Sequence, residues 1–343
     1  MPITITKRNE EEPSPRVRTG AYSFDWALAS RNGDAGFPMK SIVEITGAQS
    51  VGKTTVGLSL GGILAAQYKR NFCLIDYERQ NVETVTSCLE FAGFSGKVDW
   101  VSYYEDKKGE VRSEDILNVS TEKCYEENPD IVLIDSLGAF TPTAVHEGKL
   151  GDSNMGRKAK VLSDWFSRTL RPLLQNKKPS VVMFTNHQHP RFDVQKKSVN
   201  MPTPMQSSGG VGVGYYATQS FILKKLYGYE HTGTGGYVLE GKVGKNRDGF
   251  GPESKKVFYL YLQAGEGINL NLTSVIDCVM SELAFSSSKN LTESSTVTLD
   301  GQKMGQFRDL IAERHNPEIF LPFHNALKSI SGGIKEVSTT LGE

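Results

Sequence analysis

The sequence predicts an α/β fold in which a mostly parallel central sheet is covered by helices on both faces and ends in antiparallel edge strands. Two observations carry this prediction. Apolar, strand-like runs alternate with helical stretches through the first half of the chain, which is typical of a parallel sheet. The later runs at 220–226, 236–245 and 256–262 have no long helices between them, which favours antiparallel pairing there.

The elements follow in three predicted regions. Residues 1–18 are predicted to form an N-terminal arm, in which "ITIT" is a candidate strand and "EEEPSP" a flexible link. The core, 19–271, carries strands predicted at 41–46, 71–76, 130–135, 180–186, 220–226, 236–245 and 256–262, with helices at 53–69 and 82–93. The tail, 272–343, is expected to form a small C-terminal α+β lobe, with helices at 274–285 and near 301–314.

Composition and charge are those of a globular protein with no net charge. Hydrophobic residues make up 38% and charged residues 23%, as in soluble domains. The 39 basic residues equal the 39 acidic ones, so a nucleic-acid binder of this composition must concentrate its basic residues locally. The lack of net charge therefore argues against nucleic-acid binding without excluding it.

Cysteine usage and hydropathy indicate a cytoplasmic protein. The four cysteines are too sparse for a disulfide scaffold and have no C-x-x-C spacing, so buried free thiols are expected. A run of 18 apolar residues is lacking, which predicts no membrane span. The polar N-terminus, with both signs of charge, is unlike a secretory signal.

The stretch "GAQSVGKTT" after the run at 41–46 matches G-x-x-x-x-G-K-[ST], the phosphate-binding loop. In such a loop the glycines permit close approach, the lysine neutralises β- and γ-phosphate charge, and the hydroxyl ligates Mg²⁺. The alternative is a chance match, which the strand before the loop and the helix after it disfavour. The predicted nucleotide-binding residues are Gly47, Ala48, Gln49, Ser50, Val51, Gly52, Lys53, Thr54 and Thr55.

Carboxylates end two other predicted strands. Asp135 closes "DIVLID" and is expected to hold Mg²⁺ together with Thr54. "CLIDYE" brings Asp76 and Glu78 to the same edge of the sheet, and strand geometry would put the two on one face. We favour Glu78 as the base that deprotonates the attacking water. The alternative for each is an ordinary acid at a strand end.

Beyond these sites, the order of several motifs resembles the RecA family of homologous-recombination ATPases. The motifs are "RTGAYSFDWAL", "GAQSVGKTT", "CLIDYE", "IVLIDSLGAFTP", "EGKLGDSNMG", "FTNHQ", "SSGG", "VGKNR" and "GEGIN", and they span roughly residues 18–270. "GDSNMG" and "GEGIN" are the most particular, and the short N-terminus and "TNH" are similar to phage-encoded recombinases of the UvsX type. The resemblance implies a RecA-type phosphate-loop NTPase core with ATP and Mg²⁺ as ligands.

The resemblance also implies two DNA-binding loops, 147–156 and 189–208. The second lies in a long segment, 189–211, that is rich in Pro, Ser and Gly, and a solvated insert is the alternative for it. Met201 would stand as an apolar wedge between bases, and the basic residues of this loop would contact phosphates. The implied DNA-binding residues are Asn154, Met155, Gly156, Lys160, Arg191, Lys196, Lys197, Met201, Ser207, Ser208, Gly209 and Gly210.

Three further residues gain roles only from the resemblance. His187 would sense the γ-phosphate and pass its state to the second DNA loop, in a place where the family usually has Gln. Lys245 and Arg247 would reach the neighbouring subunit's ATP and stabilise charge in the transition state. The sequence departs from the family in lacking the long N-terminal helix that docks on the neighbouring subunit, so oligomerisation would fall to the arm 1–18, with "ITIT" adding a strand to the next subunit's sheet. It also lacks the usual adenine-stacking aromatic in 81–91.

The implied function is a DNA-dependent ATPase that forms helical filaments on single-stranded DNA and exchanges strands with homologous double-stranded DNA. The expected setting is the cytoplasm of a bacterial or phage-infected cell. One alternative is a RecA-fold paralogue or a hexameric helicase-like motor that binds DNA without strand exchange. A second is a signalling ATPase that does not bind DNA.

Overall fold

The computed structural model describes residues 15–102, 113–126, 130–146, 156–176, 178–190, 205–207, 211–229, 235–249, 256–288 and 291–331. Its strands are β1 (Arg16–Val17), β2 (Phe37–Pro38), β3 (Ser41–Gly47), β4 (Phe72–Asp76), β5 (Val98–Ser102), β6 (Ile131–Asp135), β7 (Val181–Pro190), β8 (Met205–Ser207), β9 (Gln219–Tyr229), β10 (Gly236–Asn246), β11 (Val257–Gln263), β12 (Gly267–Ile268), β13 (Ala284–Ser286), β14 (Thr296–Leu299) and β15 (Gln302–Gln306). Its helices are α1 (Tyr22–Ala27), α2 (Lys53–Tyr68), α3 (Val82–Phe91), α4 (Ser113–Tyr125), α5 (Thr143–His146), α6 (Arg157–Gln175), α7 (Val211–Tyr216), α8 (Leu270–Met280), α9 (Phe307–Ala312) and α10 (Pro317–Ser331). The predicted "ITIT" strand lies outside the described residues.

The main sheet has the strand order β12-β11-β10-β9-β3-β7-β6-β4-β5, and β8 pairs with β7 beside it. Neighbouring strands from β9 to β5 run parallel. The pairs among β9, β10, β11 and β12 are antiparallel. Both predictions about this sheet are therefore confirmed, including the antiparallel edge. The strand β5 was not predicted, because "VDWVS" is short and only half-buried.

Helices cover both faces of the sheet, which explains why the central parallel strands β3, β4 and β6 are buried at every residue. On β3, Val43 and Ile45 join the apolar cluster beneath α2 and α3, while Ile42 faces the cluster beneath α4 and α6. Within the described residues, no helix is both long enough and apolar enough to cross a bilayer. The four cysteines are buried free thiols, as expected.

The C-terminal region packs against the antiparallel edge. Its apolar cluster includes Val238 of β10 and Tyr261 of β11, so its core is continuous with the main sheet. The division of the chain at residue 271 stays a prediction. The helix predicted at 274–285 is α8, which spans Leu270–Met280, whereas residues 284 and 285 belong to β13.

The helix predicted near 301–314 was partly wrong. Residues 302–306 form β15, paired with β14, and only Phe307–Ala312 is helical. The turn between the two strands is Asp300–Gly301, with φ of 50° and 79°. Asp-Gly at positive φ is a strong hairpin signal, and it outweighs the helical pattern on either side.

Candidate active site

The phosphate loop joins β3 to α2 at the carboxyl end of the parallel strands. Gly52 has φ 98°, a left-handed conformation that favours glycine. A Cβ on Gly52 would lie 2.5 Å from the hydroxyl oxygen of Tyr237, and one on Gly47 would lie 2.7 Å from the Leu223 carbonyl oxygen. Both glycines are therefore required by close approach, and α2 begins at Lys53 as predicted.

The Lys53 side chain is folded back inside the loop. Its Nζ donates to the carbonyl oxygens of Ala48 at 2.8 Å and Gly47 at 3.4 Å. Burial lowers the pKa of Lys53, and the negative charges of Glu78 and Asp135 oppose that shift. A phosphate group in the loop would offer this ammonium stronger, charged acceptors than the two carbonyls.

Asp135 stands at the end of β6, opposite the first turn of α2. Its Oδ2 accepts from Thr54 Oγ1 at 2.9 Å and from Gln80 Nε2 at 2.8 Å, and its Oδ1 accepts from the Thr185 hydroxyl. Burial raises the pKa of Asp135 to about 6, while the Thr185 hydrogen bond opposes the shift. The peptide bond from Asp135 to Ser136 is cis. Thr54 and Asp135, the two residues expected to hold Mg²⁺, are thus hydrogen-bonded to each other.

Glu78 is held at the same edge by two side chains. The Ser136 hydroxyl donates to Glu78 Oε1. His187 Nε2, at the cleft end of β7, lies 3.5 Å from the same oxygen. The carboxylate that we favoured as the base is thus joined to the residue expected to sense the γ-phosphate.

Asp76 does not share a strand face with Glu78, because β4 ends at Asp76 and a turn follows. Asp76 instead organises that turn. Its Oδ1 accepts from the Glu78 backbone N–H at 3.0 Å, and its Oδ2 accepts from the Gln80 N–H at 2.7 Å and the Trp100 indole at 3.3 Å. Since these donors use both of its oxygens inside the fold, Asp76 positions the turn, and Glu78 is the carboxylate that reaches the cleft.

These side chains line one cleft of about 550 Å³. Nine of the predicted site residues and two others form its walls: Gln49, Ser50, Gly52, Lys53, Thr54, Thr55, Glu78, Asp135, Thr185, His187 and Tyr237. Gly47 and Ala48 contribute the carbonyls that hold Lys53, and Val51 points into the apolar core below. The cleft has a loop fitted for phosphates, and Thr54 with Asp135 offers the hard oxygen ligands that Mg²⁺ prefers.

Lys245 and Arg247 are not among the residues that line this cleft. Lys245 Nζ donates to the carbonyl oxygens of Gly214 at 2.7 Å and Tyr215 at 2.9 Å, and Arg247 also donates to the Tyr215 carbonyl. Both cations therefore rest on the last turn of α7, which follows "SSGG" at 207–210 in the chain. Burial lowers the pKa of Lys245, and the charge of Arg247 adds to that effect.

The implied DNA-binding residues are only partly described. Gly156, with φ 87°, precedes α6, and Lys160 is exposed in the first turn of that helix. Ser207 pairs with Gln188, so β8 returns beside β7. The other predicted contacts lie outside the described residues: Asn154, Met155, Arg191, Lys196, Lys197, Met201, Ser208, Gly209 and Gly210.

Four residues of the site were missed by the sequence analysis: Gln80, Ser136, Thr185 and Tyr237. Ser136 and Thr185 stand inside motifs that were noticed, "LIDS" and "FTNH", so their polar character at buried strand ends was an available signal. Gln80 and Tyr237 carry no local signal, because their neighbours in the cleft are far away in the sequence.

Comparison with known proteins gives one consistent answer. Residues 4–248 match the family model of the RecA N-terminal domain. A protein named RecA from Colwellia psychrerythraea is 31% identical over 265 residues, which cover 76% of this chain and 69% of that protein. Another named RecA, from Crocosphaera subtropica, is 26% identical over 314 residues, or 88% of this chain and 79% of the relative.

Proposed function

The chain belongs to the RecA family, and from that premise we propose that it is a DNA-dependent ATPase that forms filaments on single-stranded DNA. We further propose that these filaments pair with homologous double-stranded DNA and exchange strands. The α/β fold is the core of that family, and the two relatives compared above both carry the name RecA. The finer activities in this proposal are supported by the geometry of the cleft.

One observation carries the proposal. The phosphate loop, Asp135, Glu78 and His187 meet at the ends of four neighbouring parallel strands, β3, β6, β4 and β7. The strand β7, which carries His187, leads directly into 191–204, the middle of the proposed second DNA loop. Only a few residues of β7 therefore separate His187, which would contact the γ-phosphate, from the loop that would contact DNA.

In the proposed mechanism, the loop N–H groups and Lys53 bind the phosphates of ATP, and Thr54 and Asp135 hold Mg²⁺. The metal would supply positive charge that neutralises the phosphate oxygens. Glu78 accepts a proton from the attacking water while the Ser136 hydroxyl keeps its carboxylate in place. His187, beside Glu78, donates to the γ-phosphate and reports its presence to β7.

The neighbouring subunit completes the site in this proposal. Its copies of Lys245 and Arg247 leave the α7 carbonyls and stabilise the charge that develops on the transferred phosphoryl group. Replacing both residues by alanine is expected to abolish DNA-stimulated hydrolysis while basal ATP binding persists. Full stimulation in the double variant would reject this assignment.

DNA would be held by loops 147–156 and 189–208. Lys160, Arg191, Lys196 and Lys197 would contact backbone phosphates, and Met201 would separate bases. Sequence would be read by Watson–Crick pairing between strands, while hydrolysis would release the filament.

The first experiment compares ATP hydrolysis with and without single-stranded DNA, with Lys53→Ala as the control. We expect strong stimulation that the control loses. Strand exchange between single-stranded and homologous duplex DNA is then assayed with the same preparation. Stimulated turnover without exchange would favour a paralogue or a motor, and turnover indifferent to DNA would contradict the DNA-dependent ATPase.

A further inference from the structure

Tyr237 is the one phenol ring among the described residues that line the cleft, and the mechanism above gives it no task. It lies on β10, in the antiparallel ribbon that β10 forms with β9. Leu223 of β9 stands beside Gly47, and Tyr237 pairs with Gly228, five residues further along β9. The ribbon therefore extends past the end of β3, alongside the phosphate loop.

The ring points toward the loop and its helix. Tyr237 and Leu239 face the apolar cluster that contains α2, whereas Val238 between them faces the C-terminal cluster. A Cβ added to Gly52 would lie 2.5 Å from the hydroxyl oxygen of Tyr237. The Tyr237 hydroxyl therefore lies directly against the backbone at the start of α2. The ring is thus a wall of the cleft at the point where the loop turns into the helix.

Two features of Tyr237 make this wall suitable for binding a polar aromatic ligand. Burial raises the pKa of the Tyr237 phenol above its ordinary value, so the hydroxyl keeps its proton near neutral pH. Lys225 Nζ lies 4.9 Å from the ring centroid, close enough for a cation–π contact that holds the ring in place. The wall therefore offers a flat apolar face, a hydrogen-bond donor and a nearby positive charge.

We propose that Tyr237 is a nucleoside-binding residue, whose ring and hydroxyl receive the base and sugar of the nucleotide that the loop holds by its phosphates. The loop residues 52–55 would take the phosphates, and the remainder of the ligand must leave the loop along an adjoining wall. The proposal rests on the ATP binding proposed above, and it is independent of DNA.

Titration calorimetry with two ligands, in the presence of Mg²⁺ and the absence of DNA, tests this assignment. ATP carries a nucleoside, while inorganic tripolyphosphate carries only the phosphates. We expect Tyr237→Ala to weaken ATP binding roughly tenfold to a hundredfold, the range expected for a lost base–aromatic contact, and to change tripolyphosphate binding less than twofold. Tyr237→Phe, which retains the ring, should keep most of the ATP affinity.

Two controls separate the possible failures. Lys53→Ala should weaken both ligands, because it removes a phosphate contact. Phe285→Ala removes an exposed ring, 68% accessible, in the C-terminal region and should weaken neither. If Tyr237→Ala weakens both ligands equally or leaves ATP binding unchanged, the nucleoside role is overturned while the proposed function stands. If the parent protein binds neither ligand, both proposals are overturned.

Discussion

Two buried carboxyls in different regions of the molecule have similar electrostatics and different surroundings. Asp135 ends β6 at the cleft, while Asp277 lies within α8, beneath the N-terminal segment that contains α1. Burial raises the pKa of Asp135 to about 6 and the pKa of Asp277 to about 7. A raised pKa therefore does not distinguish the site from the interior.

The partners of the two carboxyls do distinguish them. Asp135 accepts from the side chains of Thr54, Gln80 and Thr185, which can rotate toward a metal ion or water. Asp277 accepts from the backbone N–H of Ser23 at 3.0 Å, with further hydrogen bonds from the Ser23 side chain and the Tyr22 backbone, and these donors belong to the packed N-terminal segment and not to the cleft. A perturbed carboxyl marks a functional site when its partners are exchangeable and open onto a cleft, and it marks packing when they are not.

The sharpest test of this comparison replaces each carboxyl by its amide. Asp135→Asn should lower the rate of steady-state ATP hydrolysis several hundredfold, because a proposed metal ligand loses its charge. A loss of this order is expected when an enzyme loses one strong contact to the transition state. The matched control, Asp277→Asn, should stay within twofold of the parent. Equal losses in the two variants would erase the distinction.

A second substitution tests whether chemistry at the cleft depends on the proton acceptor. Glu78→Gln keeps the size of the side chain and its hydrogen bond from Ser136, but an amide does not take a proton from water. We expect the turnover number to fall about a hundredfold, while ATP affinity and filament formation on DNA persist. Single-turnover hydrolysis and electron microscopy of filaments measure the two effects, and unchanged turnover would remove Glu78 as the base.

Asp76→Asn tests a carboxylate that combines features of the other two. Asp76 is buried and accepts from backbone N–H groups, and it also lies beside the cleft. An amide accepts at only one oxygen, so the N–H of Glu78 or of Gln80 loses its partner and the turn shifts. Turnover should fall roughly tenfold with little change in KM, as for other residues that orient a catalytic group. A loss of thermal stability with normal turnover would instead assign Asp76 to packing alone.

The smallest effect is expected from Asp277, which should alter how the free energy of unfolding depends on pH. Because the folded-state pKa is raised to about 7 from an ordinary 3.8, the folded protein holds a proton that the unfolded chain has already released. The free energy of unfolding should therefore decrease as pH rises from about 4 to 7.

Asp277→Asn removes that decrease and retains an oxygen that accepts from Ser23. At pH 8 the variant should be more stable than the parent by about 1 kcal/mol or more, and the difference should vanish near pH 4. Urea unfolding across this pH range measures it. A constant difference at all pH values would show that the carboxyl does not titrate as proposed.

The sequence predicted what local patterns encode. The seven apolar runs became strands because each is long, apolar and bounded by turns, and the phosphate loop has a motif that needs no tertiary information. Glu78, which we favoured over Asp76 as the base, is the carboxylate that lines the cleft. The reason is not strand alternation but the turn after β4, which the Asp76 side chain holds in place.

What the sequence did not predict depends on contacts between distant residues. Gln80 meets Asp135 across 55 positions, and Tyr237 meets Gly52 through a ribbon whose register the sequence does not state. Neither residue type is unusual at a strand or turn position, so neither draws notice until the sheet order is known. The hairpin at Asp300–Gly301 was a local signal that was overlooked.

The pairing of β3 with β7 has a consequence for ionic strength. Seven consecutive residue pairs, from Ser41–Val181 to Gly47–His187, join the strand that ends in the phosphate loop to the strand that leads into 191–204. Gln188 Nε2 adds a side-chain bond to Thr46 Oγ1 at 3.0 Å. Mobile ions screen exposed charges but do not weaken a buried backbone ladder.

Under the proposed function, added salt should therefore weaken DNA capture without loosening the connection between the two loops. The affinity for single-stranded DNA would fall steeply with salt concentration. The ratio of that affinity with ATP to that without ATP would stay constant, since this ratio measures the coupling between the two sites.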